Sequence, residues 1–440
     1  VTATVPGLTA PRRPRTPAVA EAVIGSGLRV IAVRKPAVPL AEIRLRIPFA
    51  SARSTHPARA ALLAESLLAG TDVLERAGIA AAVQSLGADL HVSVDAERLL
   101  VSGNTLAGSL RPLLDLLASV LVGAAYPRGE VATERDRLVE RLSIARSRPG
   151  VIAAEALSRR MWGSHPYALD LPQPDAVASV TPAALRTLHT ERVRPAGATL
   201  VVVGDVSATK VIDLVAAALD DWRGAEAEAS LPVLPHPAPG PTLVIDRPGS
   251  VQSSIRFGGP AVPRADADYP ALQLANLIFG GYFSSRWTEN LREDKGYTYG
   301  PHSRIEHYRL GSALLFDIDV ATEVTAPAML ETRYELGRIA SLPVTAAEVD
   351  AVRQYAIGTL ALSTATQAGL AGTLTALAVF GLGVEWIAEH PRRLARVGVD
   401  EVSAAAARFF APAQLVEVIV GDAATITEPL RALGGVTGAA

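Results

Sequence analysis

The densest grouping of metal-ligating side chains in the sequence is His302-Ser303-Arg304-Ile305-Glu306-His307. Two imidazoles and a carboxylate are donor types that zinc accepts, but the spacing works against a site. Histidines five apart do not share a helix face, and in a strand an offset of five places them on opposite faces. The segment follows Gly300-Pro301 and reads as strand, so no metal is expected there. His165, before Pro166, is a single imidazole of the kind that serves in a turn or a core. The chain has no cysteine, which removes disulfides, thiolate metal ligands and a cysteine nucleophile together. Gly280-Gly281 lacks the strand, glycine and helix order of a dinucleotide fingerprint, and no nucleophile elbow or Ser/His/Asp set stands out. No catalytic set stands out on residue type and spacing alone, and Arg292 and Tyr299, seven residues apart, are singled out only by a family resemblance. A guanidinium fork and a phenol can both donate to one carbonyl and stabilise an oxyanion developing on it. The competing reading makes Arg292 a surface ion pair with Glu289 or Glu293, and Tyr299 a strand residue packed on a sheet.

The elements that must position such residues belong to a chain of 440 residues, enough for two to four domains. With 49% hydrophobic and 20% charged residues it can bury large cores. Its 42 basic and 44 acidic side chains leave no basic excess, and 5% aromatics leave few rings for stacking, so a nucleic-acid partner is not expected. Val1–Pro17 carries Arg12, Arg13 and Arg15 among prolines without the apolar core of a secretory signal, and reads as an N-terminal arm. A cytoplasmic location is the expectation, with a processed exported form as the alternative. The uncharged run between Gln354 and Val384 is rich in Ser, Thr and Gly. It reads as two buried helices with a break near Gly369 to Gly372, rather than as a membrane span.

The sequence divides at Gly224 to Pro241, where prolines at 232, 235, 237, 239 and 241 mark an extended linker. The flanking halves, 18–223 and 242–440, end alike. Leu185 to His189, Pro195, the run Thr199 to Val203 and Gly204-Asp205 correspond to Val402 to Phe410, Pro412, Leu415 to Val420 and Gly421-Asp422. Strands alternate with helices in both: Leu28 to Val33 and Ile43 to Ile47, a hairpin at Asp89 to Val94 and Arg98 to Gly103, then Ser253 to Gly258, Tyr299 to Glu306 and Ser312 to Val320. Thr345 and Glu348 form a capping box. The fold class expected is α+β, with two tandem homologous halves. Each is a mixed, mostly antiparallel sheet with helices packed on one face.

Three segments together resemble the pitrilysin, insulysin and mitochondrial processing peptidase family, the inverted zincins whose catalytic helix reads His-x-x-Glu-His. The first is Ala58 to Thr71, ending in Gly70-Thr71 as the family's catalytic helix does. Aligned on that ending, the first His falls on Ala61, the general-base Glu on Ala64 and the second His on Glu65. A later helix opening Glu134-Arg135-Asp136 is similar to the one that supplies the third ligand, and that position is Arg141. A guanidinium repels zinc, so the resemblance implies a degenerate metal site; Glu65 and Glu140, one step off register from the lost carboxylates, are expected to point elsewhere. The second segment is His165-Pro166-Tyr167 with Val180-Thr181-Pro182. The third, Gly280 to Gly300, resembles the family's Arg/Tyr motif, with Arg292 and Tyr299 at the motif spacing.

Loss of the metal residues with retention of the Arg/Tyr pair resembles the non-catalytic subunit of a heterodimeric zinc metalloendopeptidase. The resemblance implies no cofactor in this chain, zinc in a homologous partner carrying His-x-x-Glu-His, and a peptide substrate. It also implies a chamber closed between the two chains, to which this one contributes Arg292 and Tyr299 as carbonyl-binding donors. Self-pairing of the isolated chain through the same surface is a further expectation. The alternative is a structural or binding homologue without a peptidase role, like the core subunits of a respiratory complex.

Overall fold

The computed structural model describes residues 18–168, 171–225 and 231–438. The arm at 1–17 and positions 226–230 of the linker lie outside the described residues.

Strands β1 (Ala18–Val23), β2 (Arg29–Arg34), β3 (Leu40–Pro48), β4 (Asp89–Val94), β5 (Arg98–Leu106) and β6 (Thr199–Gly204) form one sheet in the order β1-β2-β6-β3-β5-β4. A second sheet holds β7 (Thr242–Asp246), β8 (Gln252–Ala261), β9 (His302–Tyr308), β10 (Gly311–Ala321), β11 (Val416–Gly421) and β12 (Val436–Gly438), in the order β12-β7-β11-β8-β10-β9. Five strands correspond one to one. β2 and β6 are parallel, as are β7 and β11, and the remaining three pairings inward from them are antiparallel in both sheets. The repeated Gly-Asp at the end of β6 and β11 has a steric cause. A Cβ at Gly204 would lie 2.4 Å from the Leu40 carbonyl oxygen, and one at Gly421 2.5 Å from the Ser253 hydroxyl.

Alternation along the strands sorts side chains to two faces. Val30, Ala32, Ile43, Leu45, Leu200 and Val202 meet the helices His56–Ser66, Leu110–Gly123 and Ala208–Ala218 in the first core. The intervening Ile31, Val33, Val201 and Val203 are equally buried, which is why β2 and β6 are apolar throughout. Their cover comes from the other half: Leu370, Ala371, Leu374 and Ala378 of the helix Gln367–Ala378 pack on them. The Gln367 amide donates to the carbonyls of Lys35 at 2.7 Å and Val38 at 3.0 Å, fixing that helix over the β2–β3 turn. The exchange is reciprocal. Leu157, Met161 and Trp162 of the helix Pro149–Trp162 cover Ala313, Leu315, Val416 and Val418 on the outer face of the second sheet. Each sheet thus keeps its own helices on one face and receives a helix from the opposite half on the other.

Three details differ from the sequence reading. The uncharged stretch breaks at Thr364–Thr366, between Ala346–Ser363 and Gln367–Ala378, because the Thr366 hydroxyl caps the second helix by accepting from Gly369 N at 3.0 Å. Gly369 is therefore in the first turn rather than at the break. β9 starts at His302, so Tyr299 lies in the preceding loop. The described part of the linker packs Leu231 and Leu234 against the Trp162 cluster, where His165 Nε2 lies 3.2 Å from the Pro232 carbonyl oxygen as a core histidine. The capping box at Thr345 and Glu348 is present, and no helix among the described residues is long and apolar enough to cross a membrane.

Because the exchanged helices make each half the cover of the other, Leu374→Ala should cost about 2–5 kcal/mol and shift a single urea transition as a whole. Two separated transitions, one per half, would contradict the interlocked packing.

Candidate functional site

The positions assigned to the lost metal ligands lie on two helices, His56–Ser66 and Arg128–Arg146. Ala64 is buried and Ala61 half-buried, so neither offers a donor atom. Glu65 and Arg141 face each other: Arg141 Nη2 is 2.6 Å from Glu65 Oε1, with the side chains 51% and 39% exposed. Glu65 therefore does not point away from the third-ligand position; it is neutralised by the guanidinium there. At this exposure the pair contributes only about 0.2–1 kcal/mol. Its chemical effect is larger, because it occupies with opposite charges the two positions that would have to converge on a cation. Glu140 is exposed, while Glu134 is buried and holds Arg76 at 2.6 Å and Arg137 at 3.2 Å, so the Glu-Arg-Asp opening is a structural tie between helices. A cleft of about 340 Å³ beside these positions is lined by His56, Ala61, Ala64, Glu65 and Leu138. Burial lowers the His56 imidazole to about 4, against the bond to the Phe49 backbone that favours its charged form. No trio of metal-ligating side chains occurs among the described residues, and this donor set does not fit zinc.

The Arg/Tyr segment is built differently. Trp287 and Leu291 are fully buried, and Trp287 Nε1 donates to the Thr332 hydroxyl at 3.1 Å. The Asn290 amide donates to Glu331 and Glu335, both at 3.0 Å, tying the segment to the helix Thr325–Ser341. Arg286 reaches Glu348 through two bonds of 2.6 and 2.9 Å. Burial raises the Glu348 pKa, but the bonds from Arg286 and Thr345 outweigh it and hold the carboxyl at about 2. On this anchor Glu289–Asp294 forms a π-helical turn that presents Arg292, a geometry that recurs at functional sites. Gly296, at φ +65°, then reverses the chain, and the Thr298 hydroxyl donates to the Asp319 carbonyl at 2.8 Å. The reversal carries Tyr299 back over Arg292. The guanidinium carbon lies 5.0 Å from the Tyr299 ring centroid and 4.6 Å from that of Phe283. Tyr299 is 88% exposed, so it is not packed on the sheet, while the ion pair from Arg292 to Glu293 is present at 3.3 Å. Phe283 is the partner that sequence reasoning missed; its place directly after Gly280-Gly281-Tyr282 was the available signal. His302 and His307 share β9 at opposite parity, and His307 turns to the Ser312 hydroxyl at 2.9 Å.

Comparison with known proteins sets the fold and these two locations in context. Residues 179–355 match the peptidase M16 inactive domain. An uncharacterized zinc protease of Mycobacterium tuberculosis is 24% identical over 97% of this chain and all of the relative. A probable inactive metalloprotease of Bacillus subtilis is 27% identical over 51% of this chain and 54% of the relative. The crystal structure of a peptidase M16 inactive domain from Pseudomonas fluorescens superposes with a TM-score of 0.83, at 23% identity over 92% of this chain and 98% of that one, which shows a shared fold. A protease from Helicobacter pylori does so at 0.82, with 18% identity, 92% of this chain and 99% of that one. The matched segment is thus similar to the M16 inactive domain, and the fold as a whole is shared with these solved structures.

Two predictions follow from the site's geometry. The purified chain should carry less than about 0.1 zinc by atomic absorption, whereas the combined substitutions Ala61→His, Ala64→Glu, Glu65→His and Arg141→Glu should bring it to about one. A folded quadruple variant that still excludes zinc would refute the register. The second concerns pH. His56, His390 and His307 are lowered from 6.5 to about 4, 4 and 3 in the folded chain, first by burial. Each stays neutral when folded and takes its proton when unfolded, so this stability is present above pH 6.5 and is lost as pH falls toward 3–4. Glu348 adds a loss in the same direction from 4.5 down to about 2. The Tm should be flat above pH 7 and fall between 6.5 and 4; an unchanged Tm across that window would contradict the assignment.

Proposed function

We propose that the chain is the non-catalytic, substrate-binding and activity-supporting subunit of a heterodimeric zinc metalloendopeptidase. The observation that carries this reading is the contrast between its two motif regions. The metal positions hold alanines and an ion pair, while Arg292 and Tyr299 stand on an anchor of buried and hydrogen-bonded side chains. A part-buried arginine held between two rings at the surface suits a donor waiting for a carbonyl. The rings orient the guanidinium for about 0.5–1 kcal/mol each without using its N–H groups.

In this reading zinc, its water and the general base belong to a homologous partner with His-x-x-Glu-His. This chain's part is to bind. The Arg292 fork and the Tyr299 hydroxyl donate to a substrate carbonyl, hold it in line, and strengthen those bonds as negative charge grows on the oxygen. Tyr299 leaves its stacked place over Arg292 or donates from it, and Phe283 keeps the guanidinium plane fixed.

The test is a peptide-cleavage assay on the co-purified pair. Arg292→Ala and Tyr299→Phe should each lower kcat by about 10²–10³ with little change in Tm, since neither side chain is part of a core. This chain alone should be inactive. Full turnover in both variants would remove the role, and a partner that turns over equally well without this chain would leave a structural homologue as the reading.

A further inference from the structure

The β4–β5 turn of the first half and the corresponding β9–β10 turn of the second meet where the halves join. Glu97 of the first accepts hydrogen bonds from the Tyr167 hydroxyl and, at 2.8 Å, from the Arg309 backbone N–H of the second. Beside this contact lies a cavity of about 530 Å³, within the range of small-molecule sites. Its walls include Pro48, Ala198, Leu310 and Val379, and its charged groups are Arg29, Arg46, Arg309 and Glu97.

Arg46 is the unusual member. It sits in the middle of the sheet, paired in register with Thr199 of β6 and Leu100 of β5, on the face opposite the first helical core. It is 8% exposed, yet among the described residues its side chain makes no hydrogen bond and no ion pair, and it lines both this cavity and the adjoining one. Glu97 and Asp95 act on it through space, opposed by Arg98 and Arg309, and burial lowers its pKa. Buried guanidinium groups are normally paired, because desolvation is costly without a counter-charge. No neighbouring charge bonds to it. Arg29 donates to Glu21 at 2.7 Å and to the Ala378 carbonyl at 3.3 Å, and the Glu97 oxygen Oε1 takes both bonds of the turn contact. Three guanidinium groups line the cavity against one carboxylate, and with Arg29 neutralised one positive charge is left over. A single surplus charge beside apolar walls matches a monoanion with an aliphatic group better than a polyanion.

We propose that this cavity binds a carboxylate bearing a short aliphatic group, with Arg46 as its counter-ion and Arg309 beside it. The proposal is independent of the Arg292 and Tyr299 reading, because it concerns the isolated chain and a different surface. The same chemistry is offered by a small aliphatic acid and by the C-terminal end of a short peptide.

Calorimetric titration and thermal melts of the whole chain at low salt distinguish these sources. Hexanoate should bind and raise the Tm, hexanamide should do neither, and inorganic phosphate should bind at least about tenfold more weakly than hexanoate. Arg46→Gln should weaken hexanoate at least about tenfold with the circular dichroism unchanged. Without any added anion, Arg46→Met should raise the Tm, the reverse of what a structural arginine would do. If the Met variant does not fold, Arg309→Gln gives a second reading, expected to weaken hexanoate several-fold. Ala-Ala-Leu as free acid binding more tightly than hexanoate, with its amide inert, assigns the site to peptide ends; the opposite order assigns it to free acids. Equal response to acid and amide, phosphate matching hexanoate, or hexanoate binding unchanged by Arg46→Gln would overturn the proposal.

Discussion

A sheet whose two faces are both apolar must be covered twice, and neither half of this chain carries enough helix in the right place to do so for itself. Ile31, Val33, Val201 and Val203 face away from the first core and are closed by Leu370 and Leu374 from the second half. Met161 and Trp162 of the first half close the second sheet in return. This mutual cover fixes where the halves stand. It sets the β4–β5 turn against the β9–β10 turn, and with them the Glu97 contact and the cavity around Arg46.

Against that rigid frame the two regions are built in opposite ways. At the positions assigned to a metal site, Glu65 and Arg141 neutralise each other instead of offering converging lone pairs. The replacement stays local because both side chains are substantially solvated and little else depends on them. At the Arg/Tyr segment the investment is in support. A buried tryptophan, a doubly bonded asparagine and the Arg286–Glu348 pair hold a short π-helical turn from which Arg292 projects, partly accessible.

Much of this was legible in the sequence wherever the signal is local. The tandem ending at Gly204-Asp205 and Gly421-Asp422 could be read because a side chain at either glycine would collide with the neighbouring strand. Thr345 and Glu348 announce a helix start three residues apart, and the structure has it. Features that depend on distant pairing were not legible. The helix Pro149–Trp162 has an apolar face, but nothing in its spacing says that the face belongs to the other half's sheet. Glu65 and Arg141 are 76 positions apart, and only the packing of their helices brings the charges together. Tyr299 was placed in a strand because its neighbours alternate, whereas Gly296 turns the chain first and delays β9 to His302. The break in the uncharged stretch falls before the glycines because the Thr366 hydroxyl caps the second helix.

The interlocked cover also has a consequence during synthesis. When β6 has left the ribosome, the first sheet has all of its strands but one bare apolar face, and the helix that covers it ends only at Ala378. At about 5–20 residues per second, the interval from Gly204 to Ala378 is on the order of ten seconds or longer. Throughout it Val201 and Val203 offer a sticky surface to any neighbour, unless the chain's own Pro149–Trp162 helix or a holdase shields it. The newborn chain is therefore at its most vulnerable to aggregation in mid-translation, and the late, uncharged helix that might have been mistaken for a membrane anchor is the piece that ends the exposure.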